Sequence, residues 1–346
     1  MKVDIFAGGL RLHDVQELAR TAEAQGFSGL IFTEGGRTAY LSVAAAALCT
    51  ERIEFNTGVA LAFPRSPMVT AEVAWELAEA SHGRFSLGLG TQVQAHIERR
   101  YASEFSPPGP RMREYLEAVR HIWDCFQNGT RMSYEGRYYR LTLLNEQWSP
   151  GRSRYPDIPL YISAVGPYML RLAGELCDGV HVHPFHSRDY LDEVVRPTVA
   201  EGAARAGRDV GDVTLAVPVL TVVGATPEEK AKALRTARNQ LAFYGSTKNY
   251  ARVFEHHGFD GVSARLNDAM KAGDRATAEA LITDEMVDLY TVAADWDDIA
   301  DRLIERYQGT ADRIVLYFAT RDWRRNPPAF ERWAEVARDV VARTGG

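Results

Sequence analysis

Four residues between two apolar runs, Ala164-Val165-Gly166-Pro167, carry the strongest chemical signal in the chain. Before them, Pro159–Ser163 reads as a short strand. After them, Tyr168–Cys177 carries Met169, Leu170, Leu172, Ala173 and Leu176 at helical spacing. Proline suits the first helical position, and glycine lets the backbone come close to a ligand. Unpaired N–H groups and the helix dipole then face whatever sits there, and an anion such as a phosphate is the natural guest. An ordinary strand-to-helix turn would read the same way, so the motif needs its neighbours. Further on, His181 and His183 lie two apart, on one face of a strand, with His186 just beyond. A metal centre would need more His or Asp ligands at other strand ends; no such set is present, and no metal is expected. Neither a carboxylate pair for glycoside hydrolysis nor a Gly-x-Ser-x-Gly elbow is found. Glycine, small polar groups and apolar residues together suit a flat, anionic organic cofactor that carries the hard chemistry itself.

The elements that must position these residues alternate regularly. Strands are predicted at Val3–Phe6, Gly29–Thr33, Ile53–Thr57, Phe85–Leu89, Pro159–Ser163, Gly179–His183, Thr214–Val223 and Arg313–Phe318. Helices are predicted at Asp14–Gln25, Tyr40–Cys49, Pro67–Ala80, Arg111–Phe126, Gly166–Cys177, Asp189–Ala206 and Pro328–Ala342. The strands are nearly continuous apolar runs, as expected when both faces are buried. Eight such units in 346 residues point to one (β/α)8 TIM barrel domain, not an open doubly wound sheet. An open sheet would normally carry Gly-x-Gly-x-x-Gly after its first strand, and Gly8-Gly9-Leu10 does not fit. Two excursions interrupt the alternation: an aromatic, hairpin-like stretch at about 128–155 and a polar, helical stretch at about 257–292. Barrel active sites lie at the C-terminal strand ends. One mouth would then gather Ala7–Gly9, Thr33 and Glu34, Asn56–Val59, Gly90–Gln92 with His96 a turn later, Ala164–Pro167, and His181, His183 and His186.

Bulk properties exclude several roles. The net charge of −6 and scattered arginines give no footprint for nucleic acid. No apolar run approaches the roughly 20 residues that span a bilayer. The opening MKVDIFAGG reads as a strand and not as a signal peptide, and Cys49, Cys125 and Cys177 read as core thiols of a reducing compartment. A cytoplasmic protein acting on a small molecule, with neither nucleic acid nor membrane as partner, is expected.

Several stretches match a known pattern in order and spacing: NTGVALAFPRSP at Asn56–Pro67, the run from Gly83 to Gly90, TQVQAHIERRY at Thr91–Tyr101 and RMREY at Arg111–Tyr115. To these are added AVGP at Ala164–Pro167, AGELCDG at Ala173–Gly179, HPF at His183–Phe185 and AFYGST at Ala242–Thr247. Together they resemble the bacterial luciferase-like superfamily, and within it the branch that uses the deazaflavin coenzyme F420. The resemblance implies a luciferase-like barrel with a non-prolyl cis peptide at or beside Gly58–Val59, backing the cofactor ring. Thr57, Gly58 and Val59 would lie against that ring, Gly90 and Thr91 along its edge, and His183 at its rim. Ala164, Val165, Gly166 and Pro167 would hold the cofactor phosphate. It also implies a homodimer paired through helices near the second and third strands, for which the Ala44–Ala47 face allows close contact. The proton-relay residues of the branch do not transfer: the family's Asp-His place reads Glu34-Gly35-Gly36-Arg37, and a Glu found in some members falls at Val93. Glu34, His96 and His183 are the remaining candidates. A buried Glu34 with a raised pKa could act as an acid; a salt bridge to Arg37 or a helix cap is the plainer reading, and His96 reads equally well as a surface residue. The implied function is hydride transfer between F420 and an organic substrate, with Arg65 a candidate for the cofactor's oligoglutamyl tail. A two-component monooxygenase using FMN and a non-catalytic flavin-binding protein are the alternatives.

Overall fold

The computed structural model describes residues 1–346. Eight parallel strands close on themselves: β1 (Lys2–Ala7), β2 (Gly29–Phe32), β3 (Glu54–Thr57), β4 (Phe85–Gly90), β5 (Leu160–Ala164), β6 (Gly179–Val182), β7 (Thr214–Val219) and β8 (Arg313–Leu316). Each pairs with the next, β3 meets β4 at Phe55 opposite Phe85, and β8 returns to β1 with Val3 opposite Ile314. The result is a (β/α)8 barrel, as the alternation predicts. β2, GLIF, is buried at every position because the strand is covered on both faces.

The helices follow from local sequence. α1 (Leu12–Gln25) buries Val15, Leu18, Ala19 and Ala22 and stops at Gly26, whose φ of 88° a side chain would resist. α2 (Ala39–Ala47) and α3 (Pro67–Ala80) follow; α3 starts on Pro67, with the Ser66 hydroxyl accepting from the Val69 N–H. After β4 come α4 (Gln94–Tyr101) and α5 (Pro108–Asn128), then a short hairpin pairing Tyr134–Glu135 with Arg140–Leu141. α6 (Pro167–Leu176) follows β5, and α7 (Arg196–Arg205) follows β6 after a π-helical stretch at Leu191–Val195. β7 leads to α8 (Pro227–Gly245), then α9 (Ala251–Glu255), α10 (Val262–Ala272), α11 (Arg275–Ala280), α12 (Asp284–Tyr290) and α13 (Ile299–Tyr307). α14 (Pro327–Thr344) closes the ring after β8.

Two strands are shorter than predicted by two residues or more. β7 stops at Val219, not Val223, and Thr221–Val222 pairs instead with Val292–Ala293 outside the barrel. β8 ends at Leu316, which frees Tyr317 and Phe318 to stand at the rim. At the opposite end the barrel is tied by one arginine. Arg313 on β8 forks onto Asp4 of β1, both bonds 2.7 Å, and reaches Glu54 of β3 at 2.6 Å. Asp4 is fully buried, and this guanidinium is its ion-pair partner.

Candidate active site

The C-terminal strand ends bring most of the expected residues to one mouth. The peptide Gly58–Val59 after β3 is cis, as the resemblance implies. Its neighbours leave no room for side chains. A Cβ at Gly58 would meet Ile31 Cγ2 at 2.2 Å. One at Gly88 would meet the Thr57 carbonyl at 1.8 Å, and one at Gly90 would meet Val59 Cγ2 at 2.5 Å and Ser163 Oγ at 2.9 Å. Glycine at Gly90 therefore lets Val59 and Ser163 pack directly on the β4 backbone. Thr57 belongs to the same packed junction. It is fully buried, and its hydroxyl donates to the Gly88 carbonyl at 2.7 Å and accepts from the Gly88 N–H at 2.9 Å, so it braces β3 against β4. Thr91 is half-buried, and Gln92 beside it sits at φ 57°, a sparsely populated conformation for such a residue.

Of the proton-transfer candidates, Glu34 is committed elsewhere. Both its oxygens meet the Arg65 guanidinium, Oε2 at 2.9 Å from Nη1, and Oε2 also accepts the Leu61 N–H at 2.8 Å. The expected salt bridge to Arg37 or helix cap is not found; the ion pair is with Arg65. Arg65 lies over the Tyr40 ring and is partly buried. Burial works against its charge, but the hydrogen bonds and charge of Glu34 outweigh this and hold its pKa above the usual value. Glu34 is thereby fixed as a hydrogen-bond acceptor, and Arg65 is occupied and not offered to an oligoglutamyl tail. The pair clamps the loop after Val59 onto β2. His96 is exposed on α4 with no side-chain hydrogen bond.

The three histidines on and after β6 have separate environments. His181 is buried inside the barrel, Nε2 3.0 Å from Asn56 Oδ1. His186 is buried between the His183 carbonyl, 2.9 Å away, and the Tyr307 hydroxyl at 3.3 Å. His183 stands at the rim, its Nδ1 accepting from the Phe185 N–H at 3.2 Å and its ring against Tyr250. Burial is the main cause that lowers all three pKa values, His183 to about 3 and the others to about 4, so all are neutral at pH 7. No group of three or more His, Cys, Asp or Glu side chains is assembled that could hold a metal ion.

The anion site predicted at Ala164–Pro167 has a physical basis. α6 begins at Pro167 with Gly166 as its cap and no side-chain cap bond, so its first-turn N–H groups are left for a guest. A residue that the sequence gave no reason to select stands beside it. A Cβ at Gly166 would lie 3.9 Å from Arg252 Nη1, on α9. The aromatic excursion serves packing: Tyr139 meets buried Tyr115 edge-on at 5.5 Å and accepts from Arg111 at 2.9 Å. All three cysteines are free; Cys125 and Cys177 are buried and Cys49 partly so.

The sequence matches the Luciferase-like monooxygenase family over residues 3–313, and the chain belongs to that family. An uncharacterized protein of Mycobacterium tuberculosis is 38% identical over 308 residues, 87% of this chain and 91% of its own length. The 5,10-methylenetetrahydromethanopterin reductase of Archaeoglobus fulgidus is 31% identical over 321 residues, 90% and 91% of the two chains. The structure of the coenzyme F420-dependent tetrahydromethanopterin reductase from Methanopyrus kandleri aligns with a TM-score of 0.80 over 99% of both chains, at 23% identity, and shares the fold. No helix is long and apolar enough to cross a membrane.

Proposed function

We propose that this protein is an oxidoreductase that holds coenzyme F420 in the barrel mouth and exchanges hydride between it and a small organic substrate. The observation that carries the reading is the pairing of two features on one rim. One is the run of glycines at Gly58, Gly88 and Gly90, which leaves the ends of β3 and β4 closely packed and free of side chains beside Val59; the other is the uncapped start of α6 with Arg252 beside it. The first suits a flat ring and the second a phosphate, the two parts of a flavin-type cofactor. The reductase character of the A. fulgidus relative and the F420 dependence of the M. kandleri protein favour the deazaflavin and hydride chemistry. The monooxygenase name of the family makes FMN the competing cofactor.

Bound F420 would supply the hydride-carrying carbon. The chain's own residues would do the rest. Val59 would press on one ring face, Gly90 and Thr91 would line its edge, and the α6 N–H groups with Arg252 would hold the phosphate. The Glu34–Arg65 clamp fixes the loop after Val59, so a ring bound there would meet a preformed wall. His183, neutral at pH 7, offers an imidazole edge at the rim and no fixed charge.

Turnover tests this reading. Reduced F420 incubated with the protein and a panel of ketones, aldehydes and conjugated alkenes is expected to be oxidised without oxygen, at a rate proportional to enzyme. Tight cofactor binding with no oxidation across the panel would support a binding protein instead.

A further inference from the structure

The cofactor half of the rim is β3, β4 and β5. The opposite half carries a different surface. Tyr317 follows β8, Phe6 is the next-to-last residue of β1, His183 follows β6, Tyr244 lies near the end of α8 and Tyr250 just before α9. Their rings touch in sequence: Phe6 to Tyr317 at 5.2 Å, Tyr317 to Tyr244 at 6.3 Å, Tyr244 to His183 at 4.5 Å, and His183 to Tyr250 at 3.9 Å with planes 30° apart. All five are partly buried, and Tyr244, Tyr250 and Tyr317 pack against the core while keeping some exposed surface. No carboxylate or lysine pairs with any of them, and the nearby charge acting on Tyr244 is that of Arg321.

The hydroxyls add direction. Tyr244 and Tyr317 are hydrogen-bonded to each other through their phenol oxygens. One phenol donates and the other accepts. The accepting phenol therefore keeps its own O–H unused, and the donating oxygen keeps lone pairs. The pair can thus give a hydrogen bond to a carbonyl oxygen or take one from a hydroxyl, at the edge of an aromatic wall.

We propose that this wall is the substrate site, and that the substrate is a planar aromatic ring bearing a carbonyl or hydroxyl oxygen. The ring lies along Phe6, His183 and Tyr250, and the oxygen meets the Tyr244–Tyr317 pair. This rests on the oxidoreductase reading, and it names the substrate class for the same mouth. Aromatic contacts select a flat ring over a saturated one.

The probes are acetophenone and acetylcyclohexane, the same ketone with a flat or a saturated ring. F420 affinity is measured first by fluorescence quenching. Each ketone is then titrated calorimetrically into F420-saturated protein. The wild type is expected to bind acetophenone about fivefold more tightly than acetylcyclohexane. The Tyr244→Phe/Tyr317→Phe double variant is expected to bind acetophenone about tenfold more weakly, with F420 affinity and melting temperature unchanged. Tyr250→Leu keeps the hydroxyl pair and is expected to erase the preference for the flat ring. F420 binding with no ketone binding, or with both ketones bound equally by all variants, would overturn the wall and leave the cofactor assignment standing. Absence of F420 binding would overturn the cofactor assignment, and the same titration on cofactor-free protein would then decide the wall.

Discussion

His181 and His186 show how strongly this barrel constrains single side chains. Each is buried, and each is held neutral with its pKa lowered from 6.5 to about 4. The unfolded chain takes up these protons first as the pH falls, so their contribution to stability is fully present above pH 6.5. It is lost progressively as the pH drops toward 4. At about pH 5 each would cost on the order of 2 kcal/mol relative to neutral pH. The melting temperature is therefore expected to fall clearly between about pH 7.5 and pH 5, above the range in which ordinary carboxylates titrate. His186→Gln is expected to flatten part of that fall. A melting temperature constant across this interval would show that these imidazoles are not confined as described. The HxH spacing was legible, but not its use. Alternation places His181 and His183 on the same side of a strand, yet His181 ends on Asn56 and His183 on tyrosines from helices remote in sequence.

At the scale of elements, α6 joins sequence to function most directly. Its start was readable from Gly166-Pro167 because proline and glycine have fixed backbone consequences. Arg252 was not readable. It comes from a five-residue helix far along the chain, and only the folded barrel brings it beside Gly166. Arg252 makes no ion pair, so its charge is available to an anion. Arg252→Gln is expected to weaken F420 binding about fivefold to tenfold, with the difference largest at low salt and no change in melting temperature. Equal affinities for variant and wild type at low salt would remove Arg252 from the phosphate site. Element boundaries were legible to different degrees for stated reasons. α3 runs over Pro67–Ala80 as predicted, with Pro67 and the Ser66 cap setting its start. β7 and β8 were read too long because the apolar run continues past the barrel: into the outer Thr221–Val222 pair in one case, and into rim aromatics in the other.

The whole molecule was legible as a barrel because eight apolar strands alternating with helices leave few other ways to bury both faces of a parallel sheet. What tertiary closure added could not be read from local pattern. Arg313 locks the last strand onto the first through Asp4, Glu34 turns from a proton-transfer candidate into half of a clamp with Arg65, and five aromatic side chains from four regions meet in one wall. These arrangements divide the mouth into a half suited to a flat anionic cofactor and a half suited to what reacts with it. The measurement that tests this division most directly is the binding of oxidised F420 against FMN to the purified protein, followed by fluorescence quenching. The account predicts saturable F420 binding at least about tenfold tighter than FMN, a difference of about 1.4 kcal/mol. Preferential FMN binding would contradict the deazaflavin assignment and favour a two-component monooxygenase, and binding of neither would contradict the reading of the Val59–Gly90 surface and the α6 start as one cofactor site.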